Sequence, residues 1–217
     1  MITANVIHRV FRISTGTSSG TAFTIDVNGR EYLITAKHVV ENLAGTTSLD
    51  IYSNTRWVSL AVEVVGHAQG EIDISVLAAH QQLTRPGLPL EPTSAGVVYG
   101  QDAYFLGFPY NIVPRYIFEA GGYPLPLVKR ATVSSFDQSE FLLDGHNNPG
   151  FSGGPVVFQP PGKTEFRVAA VVSGFQAVPA PIFANDVEET NLSYEYNTGI
   201  IVAHSIDHAL ELINARP

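Results

Sequence analysis

The chain has 217 residues, 45% of them hydrophobic and 15% charged, with 19 glycines and a formal net charge of -8. That length holds one large β domain or two small lobes sharing an interface, and the composition excludes a disordered chain and long surface helices. The acidic balance, without any Lys/Arg run, excludes a phosphate-backbone binder, so no nucleic acid partner is expected; the absence of cysteine excludes disulfides and thiolate chemistry and points to a reducing compartment.

In chain order, Met1 to Ser14 holds no apolar run followed by a small-residue cleavage site. No later stretch reaches the ~18 apolar residues of a spanning helix. A cytoplasmic location with no membrane partner is therefore expected. Thr21 to Val27 reads as a strand, Asn28-Gly29 as a two-residue hairpin turn, and Glu31 to Thr35 as the returning strand. Leu49 to Tyr52, Trp57 to Val65 and Ile72 to Leu77 continue the pattern. His80 to Ala95, with Pro86, Pro89 and Pro92 and no period, reads as a connection between two halves. Strands resume at Asp102 to Leu106, with a long loop expected over Phe108 to Leu127. Ala131 to Phe136, Glu140 to Leu143, Pro155 to Phe158, Phe166 to Val172 and Asn197 to Ala203 complete the set. So many short strands indicate an all-β barrel or sandwich. Only the end reads as helix, with Ser205 as N-cap and Ile206, Leu210 and Ile213 on one face.

Three local words carry chemistry. In Asn148-Pro149-Gly150-Phe151-Ser152-Gly153-Gly154-Pro155, glycines on both sides of a serine permit a tight turn that exposes the hydroxyl. The amides of Gly150 and Ser152 can then converge where a tetrahedral oxyanion would form. A glycine-rich turn that merely contains serine fits the same word. A serine nucleophile needs a base, and His38 stands just past the strand that ends at Thr35. Alone, it reads equally as an inert surface histidine. Asp73 falls within the apolar run Glu71 to Leu77, where a charge is costly unless paired. It would orient His38, or else face solvent on the polar side of a strand.

These words, in the order His, Asp, Ser, resemble the chymotrypsin-like serine peptidases. Leu33-Ile34-Thr35-Ala36-Lys37-His38-Val39 is similar to the family's strand-and-histidine word, and Asp73-Ile74-Ser75-Val76-Leu77 to its aspartate word. Ser19 to Phe23 is similar to the strand that opens the first barrel. Phe141 to Pro155 resembles the HtrA-type nucleophile word, with Asp144, Asn148, Pro149 and Gly150 at matching offsets from Ser152. Val171 to Phe175 is similar to the strand that binds substrate backbone. The resemblance implies two six-stranded antiparallel β-barrels with the active site between them and a short C-terminal helix. Residues 1–95 would form the barrel carrying His38 and Asp73, and 96–217 the barrel carrying Ser152. It implies a Ser152-His38-Asp73 triad, an oxyanion hole from Gly150 and Ser152, and substrate pairing along Ser173, Gly174 and Phe175. The implied partner is a peptide or protein substrate, with no cofactor and no metal. The sequence is silent on oligomeric state.

Two positions depart from the family pattern. Lys37 replaces the usual alanine and is expected to point to solvent. Phe151 replaces the Asp or Asn usual before the serine, so no ion pair with a freed N-terminal amine can set the oxyanion loop. The resemblance also puts His146 at the base of the specificity pocket and Phe175 at its wall. Together they imply a small-to-medium, uncharged or polar side chain before the scissile bond. Asp186, Glu188 and Glu189 read as a solvated loop that would border this pocket. His204 and His208, four apart, are half of a metal site at most and read better as one face of a surface helix. No PDZ-like segment follows, so the chain resembles the short stand-alone bacterial and phage peptidases. An α/β-hydrolase esterase is discounted because there the serine precedes the histidine. A protease-like binding module without activity is the alternative.

Overall fold

Strand-forming runs pair into two closed antiparallel barrels. The computed structural model describes residues 2–112, 122–184 and 187–215, with backbone alone for Asn111, Ala184 and 187–191. The first barrel comprises β1 (Val10–Ser14), β2 (Ser19–Val27), β3 (Arg30–Thr35), β4 (Thr46–Ser53), β5 (Arg56–His67) and β6 (Ser75–Ala79). Their order around the barrel is β1-β2-β3-β6-β5-β4, closed where Ile13 pairs with Ile51. Between β2 and β3, Asn28 and Gly29 both take positive φ, 52° and 78°, as the hairpin turn requires.

The connection holds β7 (Glu91–Pro92), which pairs parallel to Arg167 and Val168. The second barrel comprises β8 (Asp102–Gly107), β9 (Leu127–Phe136), β10 (Glu140–Asp144), β11 (Pro155–Phe158), β12 (Arg167–Ala184) and β13 (Val187–Ser205). Its order is β11-β8-β9-β10-β13-β12, and β12 returns to β11 to close it.

Period-2 alternation lets one strand serve two cores. Leu33 and Leu77 point into the first barrel, while their neighbours Ile34, Val76 and Ala78 face outward into a second cluster. That cluster also receives Leu106, Phe108, Val157, Val168 and Val171 from the other barrel. It is the interface that fixes the two barrels together. Phe105, Phe141, Phe151 and Phe158 fill the second barrel.

The structure corrects several expectations. β1 lies outside the strands expected from the sequence. Two four-residue helices, α1 (Ala4–Ile7) and α2 (Lys37–Val40), precede α3 (Asp207–Asn214), so the end is not the only helix. Ile206 rather than Ser205 occupies the N-cap of α3, although the Ser205 hydroxyl still accepts the Asp207 amide at 3.3 Å. Ile72 to Ile74 precede β6 instead of belonging to it. β12 and β13 run far beyond the expected Val172 and Asn197 as one projecting ribbon. No helix among the described residues is long and apolar enough to cross a membrane.

Candidate active site

His38 sits on α2, immediately after β3 ends in the extended residue Ala36. Val39 and Val40 are buried and anchor this turn, leaving the His38 side chain half exposed. Its Nδ1 lies 2.7 Å from Asp73 Oδ2, and its backbone amide donates to Asp73 Oδ1 at 2.9 Å. Asp73 is buried, and Ser173 Oγ donates to its Oδ2 at 2.6 Å. Burial pushes the Asp73 pKa up. The hydrogen bonds from the His38 ring, Ser173 and the His38 amide outweigh that and bring it to about 2. The hydrogen bond to Asp73 raises the His38 pKa against the opposing effect of its burial. A carboxylate on Nδ1 places the proton of the neutral ring there and leaves Nε2 with the free lone pair.

Lys37 does not extend freely into solvent. Its Nζ donates to the carbonyls of Ala68 and Gly70, at 3.1 and 2.9 Å. It thereby clamps the loop that delivers Asp73 to the helix bearing His38.

Ser152 lies on the loop entering β11, and its carbonyl accepts the Thr21 amide at 2.9 Å. Its hydroxyl donates to the Ser173 carbonyl at 2.9 Å. Among the described residues no hydrogen bond joins it to His38. Gly150 has φ +105°, and a Cβ there would lie 2.5 Å from the Phe108 carbonyl. The Pro149 carbonyl accepts the Tyr110 amide at 2.9 Å. A trans peptide is planar, so this anchor turns the Gly150 N–H to the opposite side of the plane. Among the described residues neither the Gly150 nor the Ser152 amide has an acceptor.

Other residues hold this loop that the sequence did not single out. Thr21 Oγ1 donates to the Gly150 carbonyl at 2.7 Å and accepts the Phe108 amide at 3.1 Å. Lys129 Nζ bonds the His146 carbonyl and, at 2.9 Å, Asn148 Oδ1. It also sits 5.8 Å from the centre of the Phe151 ring. Phe151 is fully buried against Phe105, with ring centroids 4.8 Å apart. Thus the residue that departs from the family pattern is an apolar anchor. Asn147 is buried too, donating to the Gly174 carbonyl and accepting Asn197 Nδ2, both at 2.8 Å. Thr21 stands inside the Ser19–Phe23 word, the one available signal for it.

Ser173, Gly174 and Phe175 form the β12 segment beside Ser152, all of intermediate exposure. His146 is exposed. Asp186 and the side chains of Glu188 and Glu189 lie outside the described residues. His204 belongs to β13, not to a helix with His208, and is buried, which lowers its pKa. Among the described residues no three His, Cys, Asp or Glu side chains are grouped to hold a metal ion.

Two barrels with a histidine, an aspartate and a serine in the cleft define a peptidase scaffold of the chymotrypsin type. By sequence the chain belongs to the trypsin-like peptidase domain family, which it matches over residues 20–162. The Rv3671c protease of M. tuberculosis, in its inactive form, is similar at 17% identity and a TM-score of 0.58, covering 97% of this chain and 90% of that one. The HtrA-type protease AlgW, solved with a tripeptide, is similar at 19% identity and a TM-score of 0.62. The likeness covers 98% of this chain and 61% of AlgW. No curated protein matched the chain.

Proposed function

We propose that the chain is a serine endopeptidase working through an acyl-enzyme. One observation carries this reading: Ser173 touches both halves of the site. Its hydroxyl bonds Asp73 Oδ2 while its carbonyl bonds the Ser152 hydroxyl, so the acid, its histidine and the serine share one neighbour. Rotation of Ser152 about Cα–Cβ carries Oγ from the Ser173 carbonyl toward His38 Nε2. His38 takes the hydroxyl proton as Oγ bonds the scissile carbonyl carbon, and the Gly150 and Ser152 amides bind the resulting oxyanion. The C–N bond then breaks as His38 returns the proton to the amine, and water repeats the sequence to release the acid. Asp73 stays ionised and holds the ring. A fluorophosphonate reagent should label Ser152 and fail to label Ser152→Ala. Labelling retained in that variant would overturn the assignment.

The second reading is a peptide-binding module without turnover. The Ser152 hydroxyl favours it, because it is bonded to Ser173 and not to His38. Under that reading the serine stays unlabelled while peptides still bind. For the active enzyme, His146 and Phe175 support a small-to-medium uncharged or polar residue before the scissile bond. A cleavage profile dominated by Lys or Arg there would refute this preference.

A further inference from the structure

The substrate strand of this chain does not end where the barrel ends. β12 leaves the barrel at Val172 and continues to Ala184, paired with β13 along one edge. Its other edge is covered by β11 only up to Val171 and by the nucleophile loop at Val172. From Ser173 onward, no strand among the described residues pairs with that edge.

The direction of each backbone group on this edge can be worked out. The Ser173 carbonyl faces the cleft, since the Ser152 hydroxyl bonds it. The Gly174 carbonyl faces inward to Asn147, and the Gln176 carbonyl turns toward β13, where Thr198 Oγ1 donates to it at 2.8 Å. The pairing shifts register between Val172 and Gly174 and between Phe175 and Ala177, but in a planar trans peptide each N–H lies opposite the preceding carbonyl, so Phe175 and Ala177 present their N–H groups outward. From Ala177 to Pro181 the pairing runs without a shift, so regular alternation from Ala177 places Pro179 and Pro181 outward. Proline has no N–H, and its ring occupies the place where an added strand's acceptor would approach. The open edge therefore offers a ladder at Ser173, Phe175 and Ala177 and then loses its donors.

We infer that this edge is an extended substrate site of five residues, closed at its far end by Pro179 and Pro181. The inference rests on the peptidase reading and goes further, to the length and character of the substrate. Let P1 be the residue whose carbonyl is attacked, with P2 to P5 preceding it. The P1 amide meets the Ser173 carbonyl, P3 pairs with Phe175, and P5 pairs with Ala177. The occupant is an unfolded, extended segment, because a helix or a tight loop cannot supply alternate outward amides over five residues. The ribbon also sets side-chain chemistry. Val178 lies opposite Tyr196 and Ala180 opposite Tyr194, so these four share one face. Val178, Tyr194 and Tyr196 are 44%, 54% and 52% exposed. P4 projects to the face of this apolar patch, so an apolar P4 extends its cover. The two prolines keep a long exposed edge from pairing with other chains, while leaving the part nearest Ser152 open.

The test is a length series of fluorescent peptides with a common P1, ending at P3, P5, P7 or P9, bound to Ser152→Ala. Affinity should rise about tenfold from the P3 to the P5 peptide, as two more ladder bonds form, and stay level beyond. Alanine in place of serine or lysine at P4 should strengthen binding. In a Pro179→Ala, Pro181→Ala double variant on the same background, the level region should move out to P7 or P9. A plateau already at P3, or a rise that continues to P9 with both prolines present, overturns the inference. The peptidase reading is judged separately, by cleavage of the same peptides with Ser152 intact. The length dependence of binding stands or falls whether or not cleavage occurs.

Discussion

His38 and Asp73 are coupled through one 2.7 Å contact, and that contact sets how activity and stability respond to pH. The proposed mechanism needs neutral His38, whose pKa is raised by its bond to Asp73. Activity should therefore rise with pH through a midpoint above the ordinary histidine value of about 6.5, measured as kcat/KM. A midpoint below that value would mean that burial, not Asp73, dominates. Asp73→Asn should lose about 10⁴-fold in kcat, because an amide no longer fixes the tautomer. The stability effects have opposite signs. Asp73, depressed from 3.8 to about 2, stabilises the fold above its ordinary value, and this is lost as pH falls through 2. The difference corresponds to about 2 kcal/mol. His38, raised, contributes below its ordinary value and loses that contribution as pH climbs through the folded one. Urea unfolding between pH 5 and 2 should show the acid-side loss in the parent and not in Asp73→Asn. His38, Asp73 and Ser152 stand out in the sequence because each sits in a contiguous word. Thr21, Asn147 and Lys129 do not, because each matters through a bond to a carbonyl or side chain distant in the chain or specified only by the fold. Lys37 misled for the same reason: its carbonyl partners lie 31 and 33 residues away.

At the level of elements, the loop from Asn147 to Phe151 is set by neighbours that need no ion pair. Phe151 lies in the barrel core, Tyr110 holds the Pro149 carbonyl, and Thr21 holds the Gly150 carbonyl. Thr21→Val keeps the shape and removes the hydroxyl, leaving the Gly150 carbonyl and Phe108 amide short of a partner at about 1–3 kcal/mol each. Its kinetic signature should be a lower kcat with little change in KM, since the proposed oxyanion donors would act mainly in the transition state. A change confined to KM would place Thr21 in substrate binding instead. Phe151→Ala should cost about 3–5 kcal/mol of stability by emptying a core site. Strand periodicity revealed most of the barrel elements but not the ribbon. β12 passes through Pro179 and Pro181, because on an outward edge a missing N–H costs no ladder bond. Asp73 reads as part of a strand because apolar residues surround it; its loop is held by Lys37 and by the Ala68–Ile74 bond at 2.9 Å.

At the scale of the whole molecule, the site exists only while the two barrels hold one register, and Gly153 tests that directly. It follows Ser152 on the second barrel, with its amide on the Val172 carbonyl at 2.7 Å. A Cβ at Gly153 would lie 2.1 Å from the Thr21 carbonyl, 2.3 Å from Thr35 Oγ1 and 2.8 Å from the Ala36 amide. All three belong to the first barrel, and two are backbone atoms, one within β2 and one just past β3, unable to rotate aside. Relief requires the barrels to separate, which pulls Thr21 from the Ser152 and Gly150 carbonyls and moves Ser173 relative to Asp73. Gly153 also has φ +84°, which alone costs a residue with a Cβ roughly 1–2 kcal/mol. Gly162 supplies the control: its φ is +74°, but nothing lies within 4 Å of a Cβ there. Gly162→Ala should therefore lose only the conformational cost and keep full kcat/KM. Gly153→Ala should lose several-fold more stability in urea unfolding, and its remaining folded fraction should be unreactive toward fluorophosphonate. Equal destabilisation by the two substitutions would show that conformation alone is felt at Gly153, and that the barrels can shift past each other without disturbing the site.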